Sequence, residues 1–503
     1  LAPWTEARAM RRLSRSVLAE LPLSVRQPQY DRESLKIGMA HIGVGAFHRC
    51  HQAEFIDDML EVRFGPWGVM GVNLTAPSLA DLLAAQDCLY SRTLRQDARA
   101  ETRIIGALRQ VIDVTDKASA EAAVAALGGP NISVATITVT EKGYCLTPST
   151  GALDLDNPAL RADLDGGFPP RTLLGLLALA LERRRRTGRT PLTLISCDNV
   201  PSNGARLGAA MLKFAALRSA ELTLFIEECV TFPSTMVDRI VPATAPEDVD
   251  RVSEALGARD PGAVVGEPFR QWVIEDKFAA ERPPLDLAGT TFVADAKPYE
   301  RIKMRVLNAA QSTLAHQGAL VGHEFTYEAA ADPVLASLTR RMLEQETWTT
   351  LPKLAGMEVA PYIDQSMARI RNTAIRHRCH QIGTDGSQKI VQRLVDPMRE
   401  RLAAGQPAGL LILAVASWIA YGLSGARRFG ARWTPSDPYA ESIIAIGEKN
   451  SDWTELAGAV LSIASIFGTD MARPRLIEGI AGHLRGLLDG DARSYLRERL
   501  DDE

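Results

Sequence analysis

Lys303 is followed five residues later by Asn308 and three residues after that by Gln311, in the run "KMRVLNAAQSTLAHQ". A lysine in a desolvated site can give up its proton near neutral pH and act as a general base, and a carboxamide can donate to a developing alkoxide. On an α-helix these three residues fall at roughly 0°, 140° and 80° in chain order, so the spacing predicts one shared side, with His316 at roughly 220°. Proton transfer beside a polarised carbonyl is the chemistry such a group suits. A solvated lysine on an ordinary amphipathic helix has the same pattern, and this stretch alone leaves both readings open.

Other stretches carry possible partners. In "GVGAF", Gly43 permits a tight turn and Gly45 lets a pyrophosphate approach the backbone at a helix start, although His48 stands where a third glycine would complete the GxGxxG pattern. The next strand ends in "GVNLTAPS", with Asn73 and no carboxylate to hold a ribose, which leaves NAD and NADP both open. "SCDNVPSNG" offers Asp198 and Asn199, as ligand contacts or as a helix cap. In "TFPSTMVDRIVP", Asp238 and Arg239 could be a buried ion pair, and Arg270 of "EPFRQWVIEDKF" suits a carboxylate fork or a structural salt bridge. "RHRCHQIGTDGSQK" gathers Arg376, His377, Arg378 and His380 without metal-ligand spacing, so it reads as an anion contact or a solvated loop and not as a metal site. No GxSxG elbow, HExxH or P-loop is present.

The elements that must position these residues change in character along the chain. From residue 37, short apolar runs ("IGMAHIGVGAF", "WGVMGVNL", "NISVATITVT", "PLTLISCDNV") alternate with helical stretches, which implies a doubly wound, mostly parallel α/β sheet. From about residue 300 the windows have helical length and period, and Pro298 in "VADAKPYE" punctuates the change, so two domains are expected, 1–296 and 297–503. The "RRRR" at 183–186 reads as the solvated last turn of a helix, favoured by its dipole.

With 46% apolar and 23% charged residues and a net charge of −4 over 503 residues, the chain is globular and has no basic face for nucleic acid. No apolar run is long enough to span a bilayer. Six scattered cysteines with no CxxC pair read as reduced thiols and point to the cytoplasm. The N-terminus, with arginines at 8, 11, 12 and 15 and no apolar signal region, is expected to form an extra helix.

Taken in order, "GVGAFHRCHQAEF", "TVTEKGYC", "SCDNVPSNG", "TFPSTMVDRIVPA", "EPFRQWVIED", "KMRVLN" and "DGSQK" resemble the mannitol dehydrogenase family of polyol-specific long-chain dehydrogenases, and run from about residue 37 to 400. "TVTEKGYC", "EPFRQWVIED" and "QIGTDGSQK" are most similar to its fructuronate reductase (D-mannonate oxidoreductase) branch, which interconverts D-fructuronate and D-mannonate with NAD(H). The resemblance implies an N-terminal Rossmann-type domain and a mainly helical C-terminal domain, and metal-independent chemistry on a small sugar acid or polyol by a monomer. It implies Lys303 as general base, Asn308 and Asn199 as oxyanion donors, and substrate contacts from Gln311, Asp238 and Lys389, to which Arg270 and Arg376 are added as candidate anion contacts. The dinucleotide is expected on Gly43, Gly45, Ala46, Phe47, Asn73, Thr140 and Lys142. The family's signature is a lysine, an asparagine five residues on and a histidine three after that, preceded by a glycine; here Gln311 replaces the histidine and Ala309 a family glycine. Two other readings are a mannitol or arabinitol 2-dehydrogenase and a nucleotide-binding protein that has lost catalysis.

Overall fold

Continuous runs of Val, Ile and Leu suit strands buried on both faces, and in this chain they form a parallel sheet. The computed structural model describes residues 10–75, 78–147, 151–354 and 357–502, and the chain divides into two compact units, Leu1–Lys297 and Pro298–Glu503. In chain order the strands are β1 (Ile37–Ile42), β2 (Gly68–Asn73), β3 (Tyr90–Gln96), β4 (Arg99–Ile105), β5 (Leu108–Asp113), β6 (Val134–Ile137), β7 (Leu192–Ser196), β8 (Val230–Thr231), β9 (Thr235–Asp238), β10 (Val264–Gly266), β11 (Gln271–Glu275) and β12 (Thr291–Val293).

The main sheet of the first unit runs β5-β2-β1-β6-β7-β8, every neighbouring pair parallel. That is the doubly wound order in which the chain reverses direction between β1 and β6, and ligands bind beyond the carboxyl ends of the strands at that switch point. Side chains alternate across the sheet. Ala40 and Ile42 join a core that includes Leu127 and Leu177 from helices Lys117–Leu127 and Leu173–Thr187, whereas Met39 packs with Phe55, Met59 and Trp272. Two smaller sheets, β10-β3-β4 and β12-β11-β9, complete the unit.

Two expectations are corrected. Arg184 of the "RRRR" run is buried and donates to the carbonyls of Leu127, Ile132 and Pro191, so it closes the end of one helix from another instead of solvating its own; Arg185 and Arg186 do pair with Glu182 on the surface. At the N-terminus the described residues hold only a 3-10 turn, Arg15–Glu20, preceded by Arg11 and Arg12; Arg8 lies outside the described residues.

The second unit is helical. Gly409–Leu423 is buried along nearly its whole length, and Ala309–Leu320 is buried at every residue. Among the described residues no helix is long and apolar enough to cross a membrane.

A buried charge network ties the first unit together. Glu54, on helix Gln52–Val62, meets Arg92 of β3 at 3.1 Å, Arg270 at 3.3 Å and Arg239, which also donates to the carbonyls of Cys50 and Phe269. Burial pushes the Glu54 carboxyl up, but Arg92, Arg239 and Arg270 together hold it below its usual range. Its stabilisation is therefore present above the unfolded carboxyl pKa and is lost as pH falls through the lower folded value. Glu54→Gln strands the buried guanidinium groups and should cost about 3–5 kcal/mol in urea unfolding; a loss well under 1 kcal/mol would mean the network is not what holds helix to sheet.

Candidate active site

In the first unit the strand tips at the switch point are bonded to one another. Gly43 follows β1 with φ 92°, and a Cβ there would lie 2.0 Å from the Thr138 carbonyl, so the turn admits only glycine. The Val44 N–H donates to Asn73 Oδ1 at 2.8 Å, and Asn73 Nδ2 donates to Asp113 Oδ1 at 2.8 Å. Asn73 thus shapes the loop that a dinucleotide would approach, which explains an amide where a ribose-binding carboxylate was sought. His48, in the third glycine's place, is fully buried and stacks on His41 with ring centroids 3.5 Å apart, so paired imidazoles fill the helix–strand contact. These residues fit a dinucleotide: a glycine turn with no room for a Cβ leads into Ala46–Cys50, whose first N–H groups, those of Ala46 and Phe47, have no partners within the helix.

Beyond β6 the chain is strained. Thr140 has φ 66° and ψ 169°, a region that glycine alone enters freely and that a β-branched residue occupies only under constraint. Asp198, at the end of β7, supplies the constraint: its carboxylate accepts the Thr140 N–H at 2.8 Å, the Val139 N–H at 3.2 Å and the Tyr144 hydroxyl at 2.7 Å. Burial pushes the Asp198 carboxyl up while these three donors work against it. Asp198 therefore caps no helix. It fixes the loop carrying Thr140 and the exposed Lys142, and leaves the adjacent Asn199 exposed.

Asn203 joins this turn to β9, donating to the Asp198 carbonyl at 3.0 Å and accepting the Thr235 N–H at 2.9 Å. Asp238 ends β9 and is buried. Its neighbour Arg239 pairs with Glu54. Arg270 meets Asp58 at 2.7 Å, donates to the Ala288 carbonyl and lies 4.2 Å over the Phe55 ring, the contacts of a structural salt bridge.

In the second unit, Lys303 ends helix Lys297–Lys303 and is 6% exposed. Met304–Asn308 then forms a π turn, closed by the Ala309 N–H on the Met304 carbonyl, before the α-helix Ala309–Leu320. A π turn hydrogen-bonds across five residues, so positions five apart stand one above the other as positions four apart do in an α-helix. The separation of roughly 140° between Lys303 and Asn308 expected of an α-helix is therefore reduced, and the two share a face. Asn308 Nδ2 donates to Gln311 Oε1 at 3.2 Å, and both residues are buried. Arg305 anchors the turn on Glu400 at 2.6 Å and Thr350 Oγ1 at 2.8 Å, and Arg393 donates to Ser312 Oγ at 2.9 Å beside the Asn308 carbonyl.

Lys389 donates to the carbonyls of Thr384 at 2.5 Å and Ile382 at 3.3 Å. Burial first, then Arg393, pushes its pKa down to about 8, against Asp385 and Asp437. Arg376 is exposed, its guanidinium 4.7 Å over the Phe325 ring. Among the described residues no three His, Cys, Asp or Glu side chains gather as a metal site. The sequence reading missed Asn203, Ser312 and Arg393, and weighed Asp198 only as one of two candidates; the sole signal for Arg393 was its place one turn after Lys389.

A Rossmann sheet with a glycine turn at its switch point is a dinucleotide-binding architecture, and the chain is a nicotinamide-dependent oxidoreductase acting on a secondary alcohol. Residues 37–287 match the mannitol dehydrogenase Rossmann domain and residues 295–488 the mannitol dehydrogenase C-terminal domain. The chain belongs to the mannitol dehydrogenase family. It is 37% identical to the D-mannonate oxidoreductase of Escherichia coli (strain K12), covering 91% of this chain and 94% of that protein. It is 36% identical to the polyol:NADP oxidoreductase of Gluconobacter oxydans (strain 621H), covering 86% and 89%. The solved Pseudomonas fluorescens mannitol 2-dehydrogenase, a ternary complex with NAD and D-mannitol, aligns with a TM-score of 0.87 at 33% identity over 98% of this chain and 100% of that one.

Asp198→Ala removes the acceptor of three donors, one of them the buried Tyr144 hydroxyl, and should cost about 2–3 kcal/mol. Thr140 then relaxes, and NADH binding followed by fluorescence weakens about tenfold or more. Asp198→Asn, which keeps one carbonyl acceptor, should lie between. An unchanged NADH affinity in Asp198→Ala would separate this loop from the cofactor.

Proposed function

We propose that the chain interconverts a sugar acid and its keto form, D-mannonate and D-fructuronate, with NAD(H), as a cytoplasmic monomer and without a metal. The observation that carries the chemistry is the π turn that brings Lys303 and Asn308 to one face of a buried helix. Similarity to a D-mannonate oxidoreductase over nearly the whole chain supports the substrate class.

NAD+, when bound, would supply the hydride acceptor. Lys303, as the neutral amine, takes the proton of the substrate hydroxyl as that hydride leaves the same carbon, and the O–H electron pair becomes the carbonyl π bond. Asn308 has two amide protons; Gln311 accepts one, and the other is directed to the oxygen as negative charge develops there. Asn199 is assigned as the second donor to that oxygen, and Asp238 and Lys389 as substrate contacts. In the reducing direction the Lys303 ammonium returns the proton to the ketone oxygen. Gln311 orients Asn308 and can bond a substrate hydroxyl but carries no proton at neutral pH.

A polyol 2-dehydrogenase is the second reading, favoured by the likeness to the P. fluorescens mannitol enzyme. Initial rates on D-mannonate, D-mannitol and D-arabinitol with NAD+ and with NADP+ separate the two: kcat/KM is expected to be highest for D-mannonate with NAD+, and turnover of polyols alone would replace the sugar acid as substrate. Lys303→Met should lower kcat by about 10²–10⁴-fold with NADH binding retained, and near-normal turnover in that variant would remove Lys303 from its role.

A further inference from the structure

Asn308, Ser312 and His316 are spaced four residues apart, so along the helix they form one stripe. Arg393 lies against the first two, through the Asn308 carbonyl and Ser312 Oγ. At the third, His316 is 1% exposed and neither ring nitrogen has a hydrogen-bond partner among the described residues. Lys389 and Arg393 both act electrostatically on His316, and Lys389 also acts on His377, whose Nδ1 is likewise without a partner.

Arg393 is 7% exposed, yet it and Lys389 reach only carbonyl and hydroxyl oxygens, with no carboxylate within ion-pair distance among the described residues. The acids nearest in effect are Asp385 and Asp437, and Asp437 is spent on the backbone N–H groups of Ser387 at 2.7 Å and Tyr439 at 2.8 Å. Buried cations are ordinarily paired, because an unpaired one loses its hydration without return. Here two cations act on a buried imidazole that has no hydrogen-bond partner, and among the described residues neither cation has a carboxylate within ion-pair distance.

We infer that this group is the subsite for the carboxylate of the substrate, with Lys389 and Arg393 supplying charge and His316 a ring N–H. The inference rests on the sugar-acid reading and deepens it. Ser312 lies four residues, about 6 Å along the helix, beyond Asn308, a span that an open-chain sugar acid covers between an interior hydroxyl and its carboxylate.

The test compares D-mannonate with D-mannitol in steady-state kinetics. His316→Leu replaces a buried, unpartnered imidazole with an apolar side chain, so a merely structural histidine would leave the KM values alone and the melting temperature equal or higher. The subsite requires instead that KM for D-mannonate rise about ten- to a hundredfold, with kcat and KM for D-mannitol little changed. Lys389→Met should raise KM for D-mannonate far more than for D-mannitol.

The wild-type enzyme gives a reading that needs no variant. Lys389, flanked by Arg393, Asp385 and Asp437 and acting on His316 and His377, loses its proton above about pH 8. The ratio of KM for D-mannonate to KM for D-mannitol should therefore climb from pH 8 upward, while any titration common to both substrates cancels. A flat ratio, or variants that affect both substrates equally, overturns the subsite and leaves sugar-acid oxidation standing. A wild-type enzyme that oxidises polyols but no sugar acid overturns both.

Discussion

The π turn at Met304–Asn308 takes one residue more into a helical turn than an α-helix does, and the chemistry proposed for the second unit depends on that extra residue. In an unbroken α-helix, Lys303 and Asn308 would diverge by roughly 140°, so a base and an oxyanion donor could not readily address one substrate oxygen. Widening the turn brings them together and leaves Gln311, three residues on in regular α-helix, within reach of the Asn308 amide. Such a turn has poorer backbone bonding than the helix around it, and it persists where the surroundings hold it. Here Arg305 on Glu400 and Arg393 beside the Asn308 carbonyl do so from elements distant in the chain.

The two units bury charge in opposite ways, and the difference marks scaffold from site. Around Glu54, each arginine finds a carboxylate or a backbone carbonyl, and Arg270, which looks in the sequence like an anion fork, is used up between Glu54 and Asp58. Arg184 is satisfied wholly by carbonyls and a threonine hydroxyl. Lys389 also reaches carbonyls, but among the described residues no carboxylate comes within ion-pair distance of it, and Arg393 acts on it as a like charge. A fold selected for stability alone has no reason to keep that arrangement, since an apolar replacement of similar shape is often neutral or stabilising.

What could be read from the sequence follows from where local chemistry decides the structure. The central parallel strands were legible because both faces are buried and the runs are uniformly apolar; β3 and β4 were not, because "YSRTLRQ" and "RAETRII" are polar and acquire their partners only from each other and from β10. The glycine turn was legible at Gly43, where a side chain has no room. Asp198 was ambiguous since an aspartate after a strand and before a helix is the pattern of a cap, and only the positive φ of Thr140, a feature of another strand's end, reveals its work. Periodicity placed Lys303, Asn308 and Gln311 near one another but with the wrong angles, for a wheel at a constant angle per residue cannot register a widened turn.

Gln311 changes meaning in this light. Where a histidine could both orient Asn308 and exchange a proton, glutamine keeps the first property and gives up the second. Its acceptor oxygen engages one amide proton of Asn308 and so, in the proposed mechanism, leaves the other for the developing oxyanion. In the proposed mechanism proton transfer then falls on Lys303 alone, and the replacement narrows the site to one titrating group on that face of the helix without removing the electrostatic stabilisation expected to supply most of the rate. The replacement is therefore better understood as a redistribution of roles within an intact site than as the loss of one.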